Sequence, residues 1–256
     1  MRVLVTNDDG VEAEGVHALA RAIVDAGHEV VVVAPSGERS GSGAAIGRLH
    51  RSGPIRWQPV DWADLPGTDV HSVDLPPAAA VYAGCLGAFG PTPDVVASGV
   101  NPGLNYGHLV LHSGTVGAAL TAQVLGVPAV AVSLAWGEDE HWQTAATIAA
   151  ASLPWLAGRG SPVVLNLNVP NVELEAIGTA RAARLTEFAE RWSASAAHGE
   201  LMLEFEGRAH DPEPGTDLAI VRAGEIAYTL LGGVGEVADP TMSTEGLAAA
   251  LVQAGS

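Results

Sequence analysis

Basic residues are scarce in this chain, and so is cysteine. Of 256 residues only 12 are Lys or Arg against 29 Asp or Glu, a formal net charge of −17. A field of that sign repels polyanions and anionic bilayers, which excludes a nucleic-acid polymer or a membrane surface as a general partner. A small phosphorylated molecule stays admissible where a bound metal and helix N-termini reverse the potential locally. The single cysteine, Cys85, rules out an internal disulfide; it lies in an apolar run and fits a reducing cytoplasm. No basic leader precedes Met1, so no signal peptide is expected. The apolar stretches at 78–89 and 127–136 are too short, or too interrupted by Gly and Pro, to span a bilayer. Internal repeats and long low-complexity segments are missing. So are a Cys-x5-Arg loop, an Asp-x-Asp pair and a Walker loop, the usual signatures of covalent phosphatases and P-loop enzymes.

What is present suits one sizeable α/β domain with a small appendage: 48% hydrophobic residues with 31 Gly and 16 Pro. The stretch MRVLVTNDDGVEAEG opens it. Arg2 to Thr6 read as a buried strand that stops at Asn7, Asp8, Asp9 and Gly10, so two adjacent carboxylates stand at a strand's C-terminal tip. In an open parallel sheet such tips wall the ligand crevice. Adjacent carboxylates repel unless a cation or proton lies between them, and a hard divalent cation is the simplest relief. The same four residues also suit an Asx turn capping the following helix.

The spacing predicts a helix over Gly15–Ala26 and a strand over Val30–Ala34, a right-handed βαβ unit. Its second strand ends in SGERSGSG, which offers Ser40 and Ser42 as oxygen ligands and Arg39 as a cation, or is simply a flexible Gly/Ser turn. Residues 44–75 read as a hairpin-like insertion with strands at Ile55–Val60 and Asp69–Val73. Pro77–Phe89 reads as helix. A strand from Pro93 ends in Asn101, and the loop NPGLNYGHLVLHSGT leads into a helix over Thr115–Leu125. Ser113 to Thr115 lie at that helix's N-terminus, where free N–H groups favour a phosphate; plain Ser or Thr capping is the alternative. Ala129–Leu134 reads as strand, His141–Leu156 as helix and Val163–Val169 as strand. Beyond a boundary near residue 175, Glu200–Phe205 and Leu218–Tyr228 read as half-exposed antiparallel strands, and Thr244–Gln253 as a short docking helix.

Asp8 and Asp9, a Ser after the second strand and Asn101 together suit one cation that acidifies a water and offsets charge on a phosphoryl group. The motifs TNDDG, APSGERSG, PDVVASGVNPGLNYG and HSGTVGAAL, followed by GVPAVAVSL and NLNVP, resemble the SurE family of survival-protein nucleotidases over residues 1 to about 170. The resemblance implies an α/β, Rossmann-like three-layer core with a mainly parallel sheet and a small β-rich C-terminal extension. The core is expected over residues 1–175, and residues 176–256 are expected to mediate a homodimer or homotetramer. It implies a phosphomonoesterase acting on nucleoside 5′- and 3′-monophosphates through attack of a metal-bound water. The implied metal ligands, for one Mg²⁺ or Mn²⁺ per subunit, are Asp8, Asp9, Ser40 and Asn101. Asp8, Asp9 and Asn101 are the implied catalytic residues; Ser40, Asn105, Ser113, Gly114 and Thr115 are implied to hold the phosphate or substrate.

Where the family commonly reads GDDVxYSGT, this chain reads GHLVLHSGT, so His108, Leu109 and His112 stand at the presumed substrate mouth. VDLPPAAAV replaces the usual GTPADCV. Both departures leave open a phosphatase specialised for another small monophosphate. A receiver-like signalling domain shares the acidic pair but needs a phosphoacceptor Asp where Asn101 stands. A nucleotide-sugar enzyme needs a second Rossmann-like half, for which too little chain remains.

Overall fold

A computed structural model describes residues 1–47, 53–187 and 190–233. The chain runs β1 (Arg2–Thr6), α1 (Glu14–Asp25), β2 (Glu29–Pro35), β3 (Trp57–Pro59), β4 (Asp69–Val73), α2 (Pro77–Cys85), β5 (Val95–Pro102), α3 (Gly114–Val124), β6 (Ala129–Leu134), α4 (Trp142–Ala157) and β7 (Val164–Val169). Then follow β8 (Ala180–Ala182), β9 (Glu190–Ala197), β10 (Glu200–Arg208), α5 (Asp217–Arg222) and β11 (Ile226–Leu231). The main sheet is 9-stranded, in the order β3-β4-β2-β1-β5-β6-β7-β11-β8, and β9 and β10 form a separate two-stranded sheet. From β4 to β7 every neighbouring pair is parallel.

The alternation of side chains explains the layers. Val3 and Val5 point into one core with Val16, Leu19 and Ile23 of α1 and Ala149 and Leu153 of α4. Leu4, between them, points into the other, with Ala79 and Ala80 of α2 and Ala118, Ala119 and Ala122 of α3. Each Val or Leu fully buried this way contributes roughly 1.5–3 kcal/mol. The three-layer α/β architecture is therefore the expected one, and its helices are Ala-rich where two layers approach closely. Gly15 marks one such approach: a Cβ there would fall 2.1 Å from the Val100 carbonyl oxygen.

From β1 the chain winds outward through β2 to β4, then returns to the other side of β1 as β5 and winds outward through β6 and β7. The direction of winding reverses between β1 and β5. A crevice opens beyond their C-terminal ends, since the connections there leave to opposite faces.

Three expectations change. Trp57–Pro59 and Asp69–Val73 do pair antiparallel, but Asp69–Val73 also pairs parallel with β2 and is a strand of the main sheet. Residues 48–52 of that stretch lie outside the described residues. Leu218–Tyr228 is not a half-exposed strand. Leu218, Ile220 and Val221 are buried on the short helix α5, Ile220 and Val221 packed on Leu104, Ala135 and Ala183, and the following segment forms β11, antiparallel to β7. Six residues are too few to separate helical from strand periodicity, and tertiary packing decided. Finally, the chain beyond residue 175 adds β8 and β11 to the main sheet as well as forming the β9–β10 hairpin. The helix expected over Thr244–Gln253 lies outside the described residues.

Candidate active site

The reversal between β1 and β5 carries the acidic pair. Asp8 is 2% exposed, and its Oδ1 accepts a hydrogen bond of 2.6 Å from Thr115 Oγ1. The same hydroxyl lies 3.2 Å from Asn101 Oδ1, so one threonine links the tips of β1 and β5 to the start of α3. Asn101 is oriented from its other end, where Nδ2 donates to the Gly103 carbonyl at 2.7 Å. Asn7 closes the turn, its Nδ2 donating to the Gly10 carbonyl at 2.9 Å.

Electrostatics here are one-sided. Burial raises the Asp8 carboxyl above the ordinary carboxylate range, and the nearby charge of Glu38 adds to it, against the lowering effect of the Thr115 hydroxyl. Asp9 is pushed up to about 7, by burial first and then by the charges of Asp8 and Glu38. Its Oδ2 is buried with no hydrogen-bond partner, and so is Ser42 Oγ. Arg39 does not relieve the pair: its side chain reaches Asp74 at 3.1 Å, while its backbone N–H donates to the Asp8 carbonyl at 2.6 Å. Two carboxylates, an orphaned carboxylate oxygen and amide and hydroxyl oxygens form a hard, all-oxygen donor set that fits a divalent cation.

Gly114 lets α3 start against this set. A Cβ at that position would meet Asp8 Oδ2 at 2.7 Å and Ser42 Oγ at 2.8 Å. Ser113 is the N-cap of α3, its Oγ accepting from the Val116 N–H at 3.1 Å. The N-terminus of α3 abuts the acidic pair, and the Gly114 backbone N–H bonds the Asp8 carboxyl, an effect that lowers its pKa.

Asn105 is held elsewhere on the same rim. Its N–H donates to Asn168 Oδ1 at 2.9 Å, its carbonyl accepts from Asn166 Nδ2 at 2.8 Å and Asn168 Nδ2 at 2.9 Å, and its Nδ2 donates to Ser133 Oγ at 2.9 Å. The loop after β5 is thereby fastened to the ends of β6 and β7. Gly107 is fastened in turn, its N–H donating at 2.8 Å to Asp217, which is 0% exposed and also accepts from the Thr186 N–H and hydroxyl and the Leu218 N–H.

The fold thus brings together Asp8, Asn101, Gly114 and Thr115, with Asp9 next in chain and Ser113 capping the helix. Ser40 lies on the exposed loop that crosses Asp8, and its backbone N–H donates to Glu38 Oε1 at 2.9 Å. Its hydroxyl makes no bond to the acidic pair. His108 and His112 are exposed on the rim, and the His112 carbonyl accepts from the Gly43 N–H at 3.1 Å. Glu38, Ser133, Asn166, Asn168 and Asp217 were not assigned to the site from sequence, and Ser42 was named there only as an oxygen ligand that the loop offers. Asn166 and Asn168 did carry a signal: two amides on one face of a strand otherwise built of Val and Leu.

Comparison with known proteins decides the family. The model of the family "Survival protein SurE" matches residues 3–192. The chain belongs to the SurE family. A protein from Stenotrophomonas maltophilia (strain K279a) named "5'-nucleotidase SurE" is 36% identical over 241 residues, covering 90% of this chain and 88% of the relative. One of the same name from Geobacter metallireducens is 43% identical over 183 residues, 70% of this chain and 69% of its own length. The crystal structure of the SurE protein from Aquifex aeolicus superposes with a TM-score of 0.81 at 28% identity, covering 97% of this chain and 100% of that one. The SurE fold accounts for the three-layer core, and none of the described helices is long and apolar enough to cross a membrane.

Proposed function

We propose that this SurE protein is a phosphomonoesterase that hydrolyses nucleoside 5′- and 3′-monophosphates. The observation that carries the reading is the Asp8–Thr115–Asn101 linkage at the sheet's reversal point, with an unpartnered Asp9 oxygen beside the start of α3. Curated relatives named 5'-nucleotidase SurE support the same reaction.

Asp8, Asp9 and Asn101, with Ser40 from the crossing loop, would hold one Mg²⁺ or Mn²⁺. When bound, that cation supplies charge neutralisation of the phosphate dianion and acidification of an attacking water. The chain's own groups do the rest. Thr115 holds Asp8 and Asn101 in register; Gly114, Thr115 and the first turn of α3 orient the phosphoryl oxygens; Asn105 keeps the loop after β5 rigid beside them. Asp8, Asp9 and Ser40 would be taken up by the cation, Ser113 caps α3 and Thr115 holds Asp8, which leaves water as the nucleophile and a single in-line displacement as the route.

The protein acts in the cytoplasm, a reading supported by a free, buried Cys85. It assembles as a homodimer or homotetramer through residues 176–256, where Trp192, Leu201 and Leu203 expose apolar surface. A phosphate-release screen over nucleotides, sugar phosphates and other monophosphates with Mg²⁺, Mn²⁺ and EDTA tests the activity. Nucleoside monophosphates should lead and EDTA should abolish turnover. Preference for another monophosphate would shift the reading to a specialised phosphatase, which the exposed His108 and His112 at the rim favour; activity indifferent to EDTA would overturn both.

A further inference from the structure

A cavity of ≈ 540 Å³ opens where the β9–β10 hairpin joins the body, walled by Tyr106, Phe205, Arg208, His210, Asp211 and Arg222. It stands apart from the acidic crevice in character. The chain contains no lysine, and two of its 12 cationic side chains, both arginines, line this one space.

Its aromatic wall is fixed. The Tyr106 hydroxyl donates to Glu190 Oε1 at 3.1 Å, and Glu190 is ion-paired with Arg208, the two side chains being 5% and 9% exposed. The Arg208 guanidinium lies 5.9 Å from the Tyr106 ring centroid. Arg208 Nε is buried with no hydrogen-bond partner. Arg222, in contrast, is half-exposed and lies 3.7 Å from a fully exposed Asp211, a loose pair that leaves its fork available. Tyr106 follows Asn105 directly and stands five positions after Asn101. Even fully extended, that stretch reaches no further than about 18 Å.

An aromatic face, a guanidinium fork, an imidazole and a carboxylate suit a planar heteroaromatic group with donors and acceptors on its edge. An apolar leaving group would strip water from these charges without replacing its hydrogen bonds. A polyanionic one would meet the net charge of −17 with only two cations in compensation.

We propose that this cavity receives the leaving group of the phosphatase reaction, with a nucleobase stacking on Tyr106 and Arg222 hydrogen-bonding its edge. The assignment rests on the phosphomonoesterase reading above and names the half of the substrate that the crevice does not touch. The test compares kcat/KM for adenosine 5′-monophosphate with that for glycerol phosphate, which has a phosphate and no base. In Arg222→Ala and Tyr106→Leu the ratio of the two should fall about tenfold, mainly through KM for the nucleotide. Tyr106→Phe, which keeps the ring, should hold the ratio within about threefold of the parent. Arg159→Ala removes the same charge between α4 and β7, at the N-terminal end of the parallel strands and away from the crevice at their C-terminal tips, and should leave the ratio unmoved. A parent enzyme that prefers the nucleotide, with a ratio unchanged in both Arg222→Ala and Tyr106→Leu, would overturn the pocket and leave the phosphatase reading standing. A parent enzyme that hydrolyses neither ester would overturn the phosphatase reading itself, and the pocket with it.

Discussion

Replacing Asp8 with Asn keeps the side chain's shape and the hydrogen bond from Thr115 while removing one of two crowded negative charges. Phosphate release should fall about 10³-fold. The thermal midpoint should not fall, because repulsion with Asp9 is relieved. Activity retained by Asp8→Asn in EDTA would sink the metal-site assignment. Gly114→Ala probes the same site through space. Its Cβ would lie 2.7 Å from Asp8 Oδ2, so the carboxylate must move, and a displacement near an ångström costs about 10² in rate. Circular dichroism should record a native fold alongside that loss. At this scale the sequence was eloquent about Asp8, Asp9, Asn101 and Thr115, since polar residues at strand tips and a helix start announce themselves. It offered Ser42 only as one oxygen among several in a Gly/Ser loop; what singles Ser42 out is the close approach of Gly114 across the crevice. Ser113 shows the limit from the other side: its hydroxyl caps α3, a role that the same three letters, Ser-Gly-Thr, would equally have advertised.

Elements whose apolar residues repeat over a long run, such as β1, β2, α1 and β5, were legible because their burial is continuous on one or both faces. The short α5 was not, because its fate depends on Asp217, a lone acidic residue that becomes the meeting point of three chain segments only in the folded protein. Asp217→Asn would leave the N–H groups of Gly107, Thr186 and Leu218 facing an amide in place of a carboxylate. Urea titration should register a loss of about 3 kcal/mol, and turnover should fall as the loop after β5 loosens. A second element-scale expectation concerns pH. His17 of α1 stacks on Trp62 with ring centroids 3.6 Å apart, and burial holds its imidazole below the ordinary value of 6.5, as it does for His71. A depressed folded-state value means the favourable contribution is complete above 6.5 and is lost as pH falls through the folded value. Thermal unfolding followed from about pH 7 down to about pH 5 should record falling stability. The slope should be shallower in His17→Asn; an identical slope would mean that the stack does not disfavour protonation.

For the molecule as a whole, the hairpin is the exposed limb. Trp192, Leu201, Leu203 and Phe205 share one of its faces by the pairing register, and all are more than half exposed. If copies associate there, the double change Leu201→Ser with Leu203→Ser should shift the mass measured by light scattering to that of a monomer at micromolar concentration. A parent protein that is already monomeric would contradict the assembly.

The order of the sheet has one more consequence. β11 pairs antiparallel with β7 and parallel with β8, yet the whole β9–β10 hairpin precedes it in the chain. During synthesis the amide of Gly107 therefore stays unmatched until Asp217 has left the ribosome, and the edge of β7 until β11 has. A chain released before Asp217 should aggregate or be degraded. The hairpin tip is different: His198 and Gly199 form a left-handed turn at φ 54° and 82°, and among the described residues its two strands pair in a sheet only with each other. A protease cut there should yield two fragments that remain together as one native particle, held by the sheet rather than by the peptide bond.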